Sequence, residues 1–123
     1  MNFSSLEEFD KELHHLSKKY RTLESDLDVL KSILEKYPNG LVPRIFRIPG
    51  LGVQTEVYKV KHFHCQAMKN KGARSGIRVI YAYFPNQEKP DQGKIEFVEI
   101  YYKEKDDRDC DKERIKQYYP WGG

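Results

Sequence analysis

The spacing of apolar residues changes once along this chain, near residue 56, and that change limits the fold more than any other feature. Before it, Leu6, Phe9, Leu13, Leu16 and Tyr20 recur at helical spacing, and Leu23, Leu27, Leu30, Ile33, Leu34 and Tyr37 form a second such stripe. Ser4 or Ser5 followed by Glu7 or Glu8 has capping-box spacing, Thr22 is a second N-cap candidate, and "PNG" at 38–40 is a stop signal. The short gap between the stripes predicts an antiparallel helical hairpin. After residue 56 the period is two. Tyr58 and Val60 alternate with Lys59 and Lys61, "SGIRVIYAYF" (75–84) is rich in β-branched and aromatic residues, and "KIEFVEIYYK" (94–103) reads as a buried strand.

Between these parts, "LVPRIFRIPGLGVQ" (41–54) holds two Pro and two Gly and reads as a crossing loop. "PNQEKPDQG" (85–93) reads as a polar turn, and "EKDDRDCDKERIKQYY" (104–119) supplies a last helix with Asp107 or Asp109 as its cap. Trp121 ends the chain as a frayed residue or a docking point. The expected order is α-α-β-β-β-α: an α+β fold with an N-terminal two-helix hairpin on a small antiparallel sheet and a short C-terminal helix. At 123 residues, one domain spanning 1–123 is expected.

Two cysteines, Cys65 and Cys110, are too few for a disulfide framework. The N-terminus lacks a signal-peptide core, and no run approaches the ~20 apolar residues of a membrane span. A cytoplasmic protein without a membrane partner is expected. The net charge of +3 hides an uneven distribution. Residues 41–84 carry eight basic side chains against Glu56 alone, while the segments on either side are each −2. A basic middle third attracts phosphates, though charge alone names no partner.

In "EVYKVKHFHC" (56–65), Lys59 and Lys61 project from one strand face. If the strand runs on, Phe63 and Cys65 join them, while His62 and His64 fall opposite with Tyr58 and Val60. The lysines alone fit a solvated strand face. Arg74 and Arg78 strengthen the alternative: antiparallel pairing of the next strand would bring a second basic pair beside the first. Four like charges on one face suit an RNA backbone. His62, His64 and Cys65 have ligating chemistry but no CxxC or HxxxH spacing, so a metal site is not expected. Cys65 reads as a buried free thiol rather than a nucleophile. "NKGARSG" lacks the GxxxxGK[ST] pattern of a phosphate loop.

The combination of "VYKVK" (57–61), "RSGIRVIYAY" (74–83) and "IEFVEIYYK" (95–103) behind a helical hairpin resembles the RelE/ParE superfamily. These are toxins of bacterial type II toxin–antitoxin modules, and the resemblance covers roughly residues 5–119. It implies a microbial RNase-like α+β fold with the active site on the concave sheet face. RelE-like members cleave messenger RNA in the ribosomal A site without a metal or cofactor; ParE-like members inhibit DNA gyrase. By this resemblance Lys59, Lys61 and Arg78 are catalytic residues that bind phosphate and stabilise the charge developing on it, and one lysine assists in deprotonating the attacking 2′-hydroxyl. Arg74, Lys103, Arg108, Tyr101 and Tyr102 are substrate-binding candidates, and His62 or His64 are additions that no motif carries over.

The chain departs from the RelE pattern after its last strand. Lys103 or Arg108 stands for the expected Arg, Glu104 lies beside it, and Cys110 falls where a Tyr is expected, with Tyr101, Tyr102, Tyr118 or Tyr119 as substitutes. A long insertion, "HFHCQAMKNKGA", separates the two basic motifs. The expected function is a type II toxin acting as a ribosome-dependent mRNA endonuclease that inhibits translation, with a cognate antitoxin, mRNA and the ribosome as partners. The alternatives are a ParE-like gyrase inhibitor, a catalytically inactive antitoxin-binding homologue, or a basic RNA-binding domain with no toxin role.

Overall fold

The two apolar stripes form the helices that their spacing predicts. In the computed structural model, which describes residues 1–68, 75–103 and 110–120, α1 is Glu7–Ser17 and α2 is Leu23–Lys36. Phe9, Leu23, Leu27, Leu30 and Leu34 are buried, whereas Tyr37, expected on the stripe, is 45% exposed beyond the helix end. The chain leaves α2 through Gly40 at φ 105°, where a Cβ would lie 3.0 Å from the Ile45 carbonyl oxygen. Only glycine suits that backbone and that gap.

Five strands, not three, build the sheet: β1 (Asn2–Ser5), β2 (Ile45–Arg47), β3 (Glu56–Val60), β4 (Ile77–Phe84) and β5 (Lys94–Tyr102). Their order is β1-β5-β4-β3-β2. The β1–β5 pair is parallel and the rest antiparallel, so the sheet is mixed rather than purely antiparallel. The two unexpected strands are the edges. β1 occupies the residues that resemble a helix cap: Phe3 stacks on Phe97 at 6.1 Å, and the helix begins after Leu6 with no side-chain cap. Ser5 Oγ instead donates to Asp10 at 2.6 Å. β2 lies inside the Pro/Gly-rich crossing and forms a hairpin with β3.

Helices α1 and α2 cover one face. Phe97 stacks on Phe9 (5.3 Å), Tyr102 meets Tyr20 edge-on (5.9 Å), and the hydroxyl of Tyr81 donates to the Pro38 carbonyl (2.9 Å). On the other face lies α3 (Lys112–Tyr118). Its cap is Asp111, whose carboxylate accepts from the Arg114 N–H at 3.0 Å; Asp107, Asp109 and Trp121 lie outside the described residues. Among the described residues no helix is long and apolar enough to cross a membrane.

Burial pushes the phenols of Tyr81 and Tyr119 well above their ordinary value, with a hydrogen bond to Glu96 adding to the effect at Tyr119. A raised folded-state pKa gives stability that is complete below the unfolded value, ~10, and lost as pH rises through the folded one. Unfolding free energy should therefore fall above pH ~10, by about 1.4 kcal/mol per pH unit for each tyrosine. Urea titrations between pH 8 and 11.5 check this: Tyr81→Phe and Tyr119→Phe should each flatten the alkaline slope, and an unchanged slope in both would overturn it.

Candidate nucleic-acid interface

Side chains opposite each other in a ladder share a face. β3 and β4 pair with Tyr58 opposite Tyr81, Lys59 opposite Ile80 and Val60 opposite Val79. Lys59 therefore stands on the face away from α1 and α2, together with Arg78. On β2, Phe46 is opposite Lys59, and on β5, Tyr101 is opposite Arg78. The backbone N–H of Lys61 donates to the Arg44 carbonyl at 2.8 Å, which keeps Lys61 in line beyond the strand end. One further ladder step would place it beside Arg78. Lys61 is exposed, and Lys59 and Arg78 are half-buried.

A bulge decides what else reaches this face. Ile80 pairs with Glu99 but Tyr81 pairs with Phe97, which leaves Val98 as the extra residue. Parity is reset there, so Phe97 and Ile100 both face the hairpin while Glu96 and Glu99 both lie under α3. The fully buried Glu99 carboxylate accepts from the Asp111 N–H at 2.8 Å, and Glu96 accepts from the Tyr119 hydroxyl. Arg114 fastens the helix further, donating to the Val98 carbonyl (2.8 Å) and to both oxygens of Glu12 (2.9 and 3.0 Å). Burial works against the Arg114 charge, but the Glu12 pair outweighs it and the guanidinium pKa stands above its ordinary value.

The start of α3 thus overhangs the β2–β3 end of the sheet. Between them is a cavity of about 260 Å³ lined by Phe46, Ile48, Pro49, Lys59, Cys110 and Lys112. Its lining combines three apolar side chains from β2 and the residues just after it with a thiol and two ammonium groups. Among the catalytic candidates Lys59 lines this cleft; Arg78 shares its side of the sheet, and Lys61 follows just beyond the end of β3.

Other expectations fare differently. Tyr102 is on the opposite face, against Tyr20, and so stands apart from the basic residues. Tyr101 is on the basic face but only 5% exposed, which suits packing rather than base stacking. Lys103 is exposed, with its N–H tied to the Gly76 carbonyl at 2.9 Å. Arg74 and Arg108 lie outside the described residues.

The strand does not run on through "KHFHC". It ends at Val60 because Phe63 and Cys65 are buried and the following chain is pinned to the start of α2. Gln66 N–H donates to Asp26 (3.2 Å), Ala67 N–H to the Thr22 hydroxyl (2.8 Å), and Ser75 Oγ to the Phe63 carbonyl (2.6 Å). Burial, with Asp26 nearby, pushes the Cys65 thiol up and disfavours a thiolate. His64 is exposed while Cys65 is buried, and no metal-holding group of three or more His, Cys, Asp or Glu occurs among the described residues.

Phe46 and Lys112 were invisible as site residues in the sequence. The first lies in a segment that reads as loop, and the second in a charged run. The β-prone pair Ile45-Phe46 between Arg44 and Arg47 was the available signal for an edge strand. Comparison with known proteins returns no match: no family model, no curated protein and no solved structure is similar to the chain.

Proposed function

We propose that this chain is a type II toxin of the RelE-like branch, a metal-independent mRNA endonuclease acting on the ribosome and silenced by a cognate antitoxin. The observation that carries this reading is the common face of Lys59 and Arg78, with Lys61 in line behind Lys59, turned away from the helical hairpin and bordered by a cleft under α3. Attack by a 2′-hydroxyl on the adjacent phosphorus forms the O2′–P bond and breaks the P–O5′ bond. A 2′,3′-cyclic phosphate and a 5′-hydroxyl end remain. The pentavalent intermediate concentrates negative charge, and fixed cations lower its energy more than that of the substrate. One lysine takes the 2′-hydroxyl proton, the other gives a proton to the departing O5′, and Arg78 holds the phosphate oxygens.

A second reading has its own support. Tyr101 is buried, Tyr102 faces the hairpin, and the hydroxyls of Tyr118 and Tyr119 are bonded to Glu8 and Glu96. Among the described residues, none of these four tyrosines stands open on the basic face. That arrangement suits a protein acting by binding alone, to gyrase or only to an antitoxin. In either case an acidic segment is the natural cover for the basic face.

Induction of the chain in growing bacteria, with 5′ ends mapped on translated messages, separates the readings. The endonuclease predicts cleavages in phase with codons, which disappear when translation is blocked. Unphased ends together with altered DNA supercoiling would replace it with the gyrase reading.

A further inference from the structure

We infer that the cleft between β2 and α3 is a nucleobase subsite for single-stranded RNA, with Phe46 as the stacking platform and Lys112 as a phosphate contact. This deepens the proposed function and rests on RNA being the ligand of the basic face.

Phe46 is opposite Lys59 in the β2–β3 ladder, so a ring and an ammonium group stand side by side on one face. Its neighbour Ile45 is completely buried against the hairpin, whereas Phe46 is only half-buried at the cleft. Ile48 and Pro49 extend the apolar wall. Opposite them is Lys112, exposed at the first position of α3, where the helix dipole favours acids rather than cations. Folding does not ask for a lysine there; an anion in the cleft does. At about 260 Å³ the space is below the roughly 300–1,000 Å³ of drug-sized pockets and suits a single base with its phosphate at the rim.

An aromatic face within a cationic groove is the recurring means of holding single strands, because every base has a π-face and every linkage a charge. The lining also bears on specificity. Among the described residues its side chains are apolar, a thiol and two ammonium groups, which favour stacking and charge over base-specific pairing. The subsite accepts all four bases, and purines bind more tightly than pyrimidines through their larger stacking area.

The test uses the full chain and a short single-stranded RNA with 2-aminopurine at one position, titrated at low salt by fluorescence. Wild type should bind and quench the probe. Phe46→Ala should weaken binding by about 5- to 150-fold, and Phe46→Trp should retain it. An abasic nucleotide at the probe position should cost wild type a similar factor and cost Phe46→Ala little, because both changes remove the same contact. Lys112→Ala should lower the salt slope by about 0.7, the share of one phosphate on a single strand. If Phe46→Ala does not fold, Phe46→Leu keeps the apolar area without the ring and should also bind weakly. RNA bound equally by wild type and these Phe46 variants would overturn the subsite and leave the endonuclease standing, with the cleft free for protein contacts. RNA not bound at all would overturn the subsite, and the 5′-end map would then judge the endonuclease separately.

Discussion

On the proposed endonuclease reading, replacing Lys59 and Lys61 together with alanine is expected to abolish toxicity, and Arg78→Ala separately to do the same, while the protein stays folded. Each preorganised donor to a developing oxyanion is worth on the order of 10²–10³ in rate. On that reading, two lost cations would bring cleavage below what slows growth. Stability should hardly change. Lys61 is exposed and Lys59 and Arg78 are half-buried, so none of the three is part of the apolar core. A melting temperature within about 4 °C of wild type therefore accompanies the loss of function. Arg78→Lys sharpens the point: it keeps the charge but loses the two-pronged grip on phosphate, and should give intermediate toxicity. Growth after induction and thermal unfolding are the two measurements. Undiminished toxicity in both alanine variants would remove these residues from the site.

Arg114→Met should cost about 2–4 kcal/mol of unfolding free energy. Arg114 holds the Glu12 carboxylate through two nitrogens and also satisfies the Val98 carbonyl, where the bulge interrupts the β4–β5 register. Side-chain exposures of 13% for Arg114 and 25% for Glu12 mean that the pair is not fully shielded, so the cost falls around and below the lower end of the buried-pair range. Much of the cost is the stranded Glu12 charge beside Glu99. Combining Glu12→Gln with Arg114→Met should therefore recover part of the loss. Urea unfolding of both variants checks it, and a change below ~0.5 kcal/mol for Arg114→Met would show the clamp to be idle. The functional consequence follows from position: a loosened α3 withdraws Lys112 and Cys110 from the cleft.

Much of this architecture could be read from residue spacing. The helical stripes from Leu6 to Leu34 are local patterns, as are the alternation in β3 and the β-rich run in β4, and each predicts its own element. β1 and β2 could not be read in that way. Four and three residues long, they are strands because partners far along the chain supply their hydrogen bonds: Lys94–Phe97 for β1 and Tyr58–Val60 for β2. Locally, "FSS" resembles a helix cap and "PRIFRIPG" a loop. The same holds at the site. Parity placed Lys59 beside Lys61, but the end of β3 at Val60 removed Phe63 and Cys65 from that series, since both are buried where the chain turns onto α2.

By itself, the sequence determined an α+β chain with two amphipathic helices before its main strands, a middle third carrying the excess positive charge, and the alternation that separates Lys59 from Tyr58 and Val60. Those properties depend on spacing and composition, which neighbours along the chain already express. Only the tertiary structure decided which side of the sheet the lysines take and what stands around them. The bulge at Val98 is the clearest case. Strict alternation from Phe97 would have placed the Glu99 carboxylate in the apolar layer under the hairpin. One extra residue sends it to the other face, where the start of α3 accepts it and brings Lys112 over Phe46 and Lys59. A buried charge tolerates only the face that can hydrogen-bond it, and that constraint exists only once sheet and helix are in contact.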